Sequence, residues 1–323
     1  MLETRITAGL VNWPQLAQIA GLPAEGWTPQ LLGARRDARG DRMVLALLHS
    51  GHAEVILKQA FTPADIAATA RAISAQTRAF TLLADHPQAR VPRILAALPT
   101  LGAIAMERVP GKQLAEIVET GEIAPAVTRA GRWSAAFHAT GPVESRAFQP
   151  RFVIDHLTRA AALVRGGQRK IARSGRFLAC VERLQKEARL TKGAPTRATA
   201  RHGDLNAGNL MLADQGDLVW GFDFSDPLIR PVGFDIARLL VSLAECAPIP
   251  AGGPVVPDTI LRAFFAGYDL IDAEDATIGF LCRARLLSNW LGLAHSEREM
   301  SIPQTIRFQR ILALAEAGIL ERA

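Results

Sequence analysis

Residues 201–224 constrain this chain more than any other stretch. They open as Arg201-His202-Gly203-Asp204-Leu205-Asn206-Ala207-Gly208-Asn209-Leu210-Met211 and close on Gly221-Phe222-Asp223-Phe224. Asp204 and Asn209 lie five apart on a short polar loop that also holds two glycines. Residues 210–212 predict a strand, Ala213-Asp214-Gln215-Gly216 a turn, and residues 217–222 the return strand. A hairpin brings its outer ends together. Asn209 and Asp223 are therefore expected to face one site, although fourteen residues separate them. Two carboxylates and a carboxamide would then converge at the mouth of a β-ribbon.

Such a trio suits phosphoryl transfer. Magnesium takes hard oxygen ligands and is commonly held by one or two carboxylates together with substrate phosphates. Asp223 and the Asn209 carbonyl oxygen are the expected metal ligands. Asp204, off the metal, is placed to accept the hydrogen of an attacking hydroxyl. In protein kinases a catalytic-loop Asp is likewise followed five residues later by a metal-binding Asn, then by a strand-borne Asp-Phe-Gly.

At these residues the chain resembles the aminoglycoside phosphotransferase and choline kinase family of small-molecule kinases. The resemblance rests on His202-Gly203-Asp204 with Asn209, on Phe222-Asp223-Phe224, and on Gly233-Phe234-Asp235-Ile236-Ala237, in order within 36 residues. The last element is one residue shorter than the family's Gly-x-x-Asp-Leu-Ala and has Ile for Leu. The resemblance implies an α+β, bilobal, protein-kinase-like fold: a β-rich N-terminal nucleotide-binding lobe over residues 1–107, and a mostly helical catalytic and acceptor-binding lobe over 108–323. It implies ATP and Mg²⁺ as cofactors and a small hydroxylated molecule as acceptor. Asp235 would brace the catalytic loop, and Asp226 could approach metal or acceptor.

Composition agrees with a globular enzyme. At 323 residues the chain has room for two domains; 49% of residues are hydrophobic and 21% charged. No apolar run approaches the ~18 residues of a membrane span, and the first residues lack the layout of a secretory signal. Cys180, Cys246 and Cys282 are few and widely spaced, so reduced thiols and a cytoplasmic location are expected. The formal charge of +6 is unevenly spread. Residues 151–197 carry twelve Lys or Arg against three Asp or Glu, whereas residues 201–323 carry ten against sixteen. The basic block has helical spacing and no interleaved aromatics, so it reads as a solvated helical surface, and no nucleic acid is expected as a partner. A monomer or a homodimer is equally compatible with the sequence.

Ahead of the motifs, Asn12 is the expected N-cap of a helix closed by Gly21 and Pro23. A strand at residues 31–33 leads into a polar loop at 34–40, then strands at 43–48 and 53–58. Lys58 ends the last of these, where kinases hold the lysine for the nucleotide phosphates. A strand-end lysine alone is usually just solvated; the downstream trio is what assigns it to nucleotide. A helix is expected over 64–83, capped by Thr62 and Pro63. Where the family carries a glutamate to pair with that lysine, this helix has Gln76: its amide can still hydrogen-bond the ammonium without the charge-assisted part, the lysine being held less firmly, or another carboxylate reaches Lys58. Strands follow at 91–95 and 102–106. Glu107-Arg108-Val109-Pro110-Gly111 resembles the family's hinge, which implies that adenine is read by backbone groups of Glu107 and Val109. His138, ending a helix over 124–138, reads as structural. Helices are expected near 153–165, 177–190, 236–243, 258–268, 273–294 and 302–318. The family builds its acceptor pocket from the last of these, which makes Trp290, Glu297 and Glu299 candidates.

Two other readings remain at this level. Gly203-Asp204 and Gly208-Asn209 resemble fragments of metal-dependent phosphoesterases, but after His202 only His295 remains to ligate a dinuclear centre. A non-catalytic nucleotide-binding protein of kinase shape is favoured by Gln76 alone and opposed by Asp204, Asn209 and Asp223.

Overall fold

The computed structural model describes residues 2–37, 40–121, 123–225, 228–247, 253–293 and 300–321. It divides into two compact units, Met1–Gly111 with Met211–Pro227, and Lys112–Leu210 with Leu228–Ala323. The architecture is α+β: the N-terminal unit is built on a sheet and the C-terminal unit is mostly helical.

The first unit opens with two helices, α1 (Leu2–Leu10) and α2 (Trp13–Ala20). Asn12 precedes α2 as expected, but its side chain makes no cap bond. Its Nδ2 instead donates to Gln59 Oε1 at 2.9 Å, tying the helix to the sheet. Gly21, at φ 68°, closes the helix in the left-handed conformation that glycine adopts without steric cost. Next come β1 (Thr28–Asp37), β2 (Gly40–His49), β3 (His52–Ala60), α3 (Pro63–Leu82), β4 (Ala89–Arg90), β5 (Ile94–Leu98) and β6 (Ala103–Glu107).

Five of these strands form an antiparallel sheet in the order β1-β2-β3-β6-β5. Met43, Leu45 and Leu47 alternate along β2, as do Val55 and Leu57 along β3. They pack on Trp13, Leu16 and Ala17 of α2. The polar loop expected at 34–40 is shorter than its composition suggests. β1 continues to Asp37, paired with Gly40; residues 38 and 39 lie outside the described residues. Arg35 and Arg36, on opposite faces of this edge strand, pair with Asp65 and Asp41, each at 3.5 Å. Thr62 caps α3, its Oγ1 accepting the Asp65 N–H at 3.2 Å.

The second unit starts with β7 (Lys112–Gln113), α4 (Leu114–Thr120), α5 (Ile123–His138), β8 (Glu144–Ala147), α6 (Arg151–Arg165), α7 (Ser174–Thr191) and β9 (Pro195–Ala200). After the loop at 201–209 come β10 (Leu210–Leu212) and β11 (Val219–Gly221), the hairpin foreseen in the sequence, which from Met211 on belongs to the first unit. Ala213 N donates to Leu218 O at 3.0 Å to close its turn. The return strand is shorter than expected because Asp223 takes φ 63°, which no strand accommodates. The chain then runs through β12 (Ile229–Pro231), α8 (Gly233–Cys246), α9 (Asp258–Phe265), α10 (Ala276–Leu291) and α11 (Ile302–Ala315). β12, β9 and β8 form a small sheet that the sequence did not announce. Among the described residues, no helix is long and apolar enough to cross a membrane.

Helices α5 and α9 approach closely because two glycines face the contact. A Cβ at Gly131 would lie 2.3 Å from the Phe264 carbonyl oxygen, and one at Gly267 would lie 2.2 Å from that of Thr128. The approach brings His138, at the end of α5, to Tyr268 just past α9. Replacing Gly131 with alanine adds about 1 kcal/mol of helix propensity. The clash is with backbone and cannot be relieved by a rotamer change, so a net loss of about 2 kcal/mol is expected. A lower denaturant midpoint at unchanged m-value is the measurement that checks it.

Candidate active site

The loop between β9 and β10 is held by its own polar residues and by α8. Asn206 Oδ1 accepts the Gly208 N–H at 2.9 Å, and Asn206 Nδ2 donates to the Asp204 carbonyl at 2.9 Å. Ala207 N donates to Ser242 Oγ at 2.9 Å. Asn209 Nδ2 donates to the Asp204 carbonyl at 2.9 Å and points at its carboxylate oxygen, 3.4 Å away. This fixes the amide so that Asn209 Oδ1 faces the other way, available as a hard acceptor. The other carboxylate oxygen of Asp204 pairs with Arg238 at 2.8 Å, and the same guanidinium donates to the Gly203 carbonyl. Asp204 and Asn209 are thus brought together as the motif predicts.

Asp235 is the anchor of this loop. It is 2% exposed, at the start of α8. Its carboxylate accepts the backbone N–H of His202 at 2.6 Å and of Gly203 at 3.0 Å, and the His138 Nε2 contact lies at 3.3 Å. Burial alone would raise the pKa of this carboxyl. The hydrogen bonds from His138 and Gly203, with the charge of His138 and His202, outweigh that and hold it below the ordinary carboxylate value. His138 is fully buried, and its Nδ1 meets the Tyr268 hydroxyl at 2.9 Å, so its expected structural role is borne out.

In the first unit, Lys58 lies on β3 with its ammonium against the Asp223 carboxylate, and 5.9 Å from the Phe222 ring centroid. Burial, then the nearby Arg42 guanidinium, lower the pKa of this lysine to about 8. Contact with Asp223 favours the charged form in the opposite sense. Gln76 does not reach Lys58: it is buried and donates to the Pro92 carbonyl at 3.0 Å. The sequence left two partners open for the lysine, and a carboxylate is the one found. Glu107 ends β6, its N–H donating to the Arg93 carbonyl at 3.0 Å and its Oε1 accepting the Arg93 N–H at 2.9 Å. Val109 follows in the extended segment before Pro110 and is partly buried.

Taken singly, the residues expected to hold the metal are of the kind a hard divalent cation takes: Asp223 of the first unit offers a carboxylate, and Asn209 of the second a carboxamide oxygen. Among the described residues no group of three or more His, Cys, Asp or Glu side chains is arranged to hold a metal. Trp290 is not part of an acceptor site. It is 2% exposed, packs on Phe177 and Phe308, and its Nε1 donates to the Ala172 carbonyl at 3.0 Å. Glu297, Glu299 and Asp226 lie outside the described residues. Arg238 was missed in the sequence, although its place three residues after Asp235 on α8 was a usable signal.

A family model described as the phosphotransferase enzyme family matches residues 22–277. The chain belongs to this family. A search of curated proteins returns no match. Among solved structures, the phosphotransferase is similar to amicoumacin kinase hAmiN in complex with AMP-PNP, Ca²⁺ and Ami, at 17% identity and TM-score 0.58, over 97% of this chain and 95% of that one. It is similar to choline kinase LicA from Streptococcus pneumoniae, at 13% identity and TM-score 0.58, over 98% and 99%. A third is spectinomycin phosphotransferase APH(9)-Ia in complex with ADP and its antibiotic, at 14% identity and TM-score 0.53, over 91% of each chain. These likenesses establish a shared protein-kinase-like fold, and the family makes this chain a small-molecule phosphotransferase.

Because the Asp235 carboxyl is held below its unfolded value, it adds stability that is present above about pH 4 and is lost as pH falls through the lower folded value. Asp235→Asn should therefore lower stability at neutral pH by about 3 kcal/mol. It should also flatten part of the acid-side loss of the parent protein. Denaturant midpoints between about pH 2 and pH 7 check both outcomes.

Proposed function

We propose that this phosphotransferase moves the γ-phosphoryl group of ATP, in the presence of Mg²⁺, to a hydroxyl of a small molecule such as an amino sugar, an amino alcohol or a sugar. The observation that carries this reading is the Asp204 carboxylate. Its side chain is 42% exposed, so an acceptor can reach it, while Arg238 and Asn209 fix the directions of its two oxygens. Asp204 orients the acceptor hydroxyl and takes its proton as the new P–O bond forms. Asn209 and Asp223 supply oxygen ligands to the metal, and Lys58 steadies the nucleotide phosphates. Adenine is read by backbone groups of Glu107, at the end of β6, and of Val109, beyond it and ahead of the Pro110-Gly111 break. Residues 1–107 hold the nucleotide and residues 108–323 the acceptor.

Bound Mg²⁺ would neutralise charge across the phosphates, and the protein's own share is positioning and electrostatic stabilisation. Support for the nucleotide comes from the folds to which this chain is similar: one was determined with AMP-PNP and Ca²⁺, another with ADP. A cytoplasmic location, where ATP is supplied, is supported by the three free cysteines, of which Cys180 and Cys282 are buried.

Asp204→Ala should lower kcat by about 10³-fold or more, while the Kd for ATP stays within about twofold. An ATP-consumption screen over amino sugars, amino alcohols, nucleosides and simple sugars identifies the acceptor, and titration of the variant with AMP-PNP and Mg²⁺ reads nucleotide binding. Undiminished turnover in the variant would remove Asp204 as the base.

A further inference from the structure

Two adjoining cavities in the second unit are walled by the same pair of arginines. The smaller, of about 190 Å³, is lined by Arg201, Arg238 and Arg285, with His156, Ser288 and Asp235. The larger, of about 750 Å³, shares Arg238 and Arg285 and adds Arg307 and Arg310, against the acidic Glu119 and Glu245. Each carboxylate in this region already has a cationic or N–H partner, Glu119 aside. Asp235 is occupied by the loop backbone and His138. Asp204 is paired with Arg238 at 2.8 Å, and Glu245 with Arg307 at 2.8 Å.

The arginines of the smaller cavity are less well matched. In Arg201, Arg238 and Arg285 the Nε is sealed from solvent and has no hydrogen-bond partner. Arg285 has no ion-pair partner among the described residues. Burial, then the like charge of Arg238, lower its pKa to about 10, and Asp204 and Glu245 act on it only partly in the other sense. It stays charged at neutral pH. Arg285 is half-buried with its Nε unpartnered, and a guanidinium partly withdrawn from water without an ion-pair partner is costly to fold around. A planar donor fork of this kind matches the two oxygens of a carboxylate or phosphate. The cavity holds such a group in volume, and Arg238 links it directly to Asp204.

We propose that the acceptor carries a carboxylate or phosphate group, and that Arg285 and Arg201 bind this group in the smaller cavity while the acceptor hydroxyl is presented to Asp204. The inference rests on the phosphotransferase reading and revises its acceptor class: an anionic alcohol takes the place of the amino sugars and amino alcohols named above. Counted alone, the ten basic and sixteen acidic residues of 201–323 would favour a cation. That balance counts carboxylates that the fold has already paired.

The test is a calorimetric titration of the full chain saturated with AMP-PNP and Mg²⁺, so that sites for nucleotide phosphate are filled. The probes are glycerate, glycerol 3-phosphate, glycerol and ethanolamine. At least one anion should bind about tenfold or more tightly than glycerol. Arg285→Met should weaken that binding by about 10- to 100-fold and leave glycerol unchanged, with Arg285→Lys intermediate. The preferred anion distinguishes carboxylate from phosphate. Arg285→Met should also keep the melting temperature at or above the parent value, because it removes a poorly matched, half-buried charge; a purely structural arginine would lower it. If Arg285→Met does not fold, Arg201→Met carries the same binding comparison. Anions that bind no better than glycerol or ethanolamine, or anion binding untouched by either variant, would overturn the proposal. Anion binding that depends on Arg285 in a protein unable to transfer phosphate would leave this site standing and remove the kinase reading. Transfer to neutral alcohols without anion binding would do the reverse.

Discussion

The second unit depends on one buried carboxylate. Asp235 sits at the start of α8, almost wholly removed from solvent, and an isolated charge there would cost several kcal/mol. It is tolerated because consecutive backbone N–H groups of His202 and Gly203 point at it and His138 closes the third side. Consecutive N–H groups turn toward one acceptor only if the chain bends sharply, and Gly203, at φ 81°, makes that bend. His138 is held in turn by Tyr268, and the glycine contact between α5 and α9 sets that spacing. The orientation of Asp204 is thus a consequence of packing several helices away from it.

The first unit answers a different electrostatic problem. Burial and Arg42 lower the pKa of the Lys58 ammonium to about 8, and a carboxylate beside it favours the charged form. The helix that supplies this partner in related kinases here carries Gln76, which is turned to the Pro92 carbonyl and the Met106 sulfur. Asp223 takes the lysine instead, from a left-handed backbone conformation that few residues other than glycine, asparagine and aspartate tolerate. The strand ends where it does because this residue leaves it.

Much of this was legible in the sequence because the signals were local. The loop from His202 to Asn209, the hairpin after it and the cap at Thr62 depend on residues within a few positions of one another. The second sheet of three strands was not legible: β8, β9 and β12 are short, and Pro195 to Ala200 alternates polar and small residues without an apolar face. The polar stretch 34–37 looked like loop because ion pairs to Asp41 and Asp65, distant in sequence or hidden by it, keep an arginine-rich strand paired. Trp290 looked like a pocket residue because an aromatic on a helix carries no mark of which face is buried. Its contacts with Phe177 and Phe308 come from helices far apart in the chain.

Charge shows the same limit most sharply. Summed over residues 201–323, sixteen acidic residues outnumber ten basic ones, and the sum invites a cationic ligand. An electrostatic field is set by which charges are already neutralised at contact distance, since an ion pair a few ångströms wide contributes little beyond itself. Asp204, Asp223, Asp235 and Glu245 each have a cationic or N–H partner. Arg285 has none among the described residues, and its Nε is sealed from water. A segment acidic by count, residues 201–323, therefore lines its smaller cavity with Arg201, Arg238 and Arg285. The anionic specificity proposed above rests on the unpaired remainder and not on the total.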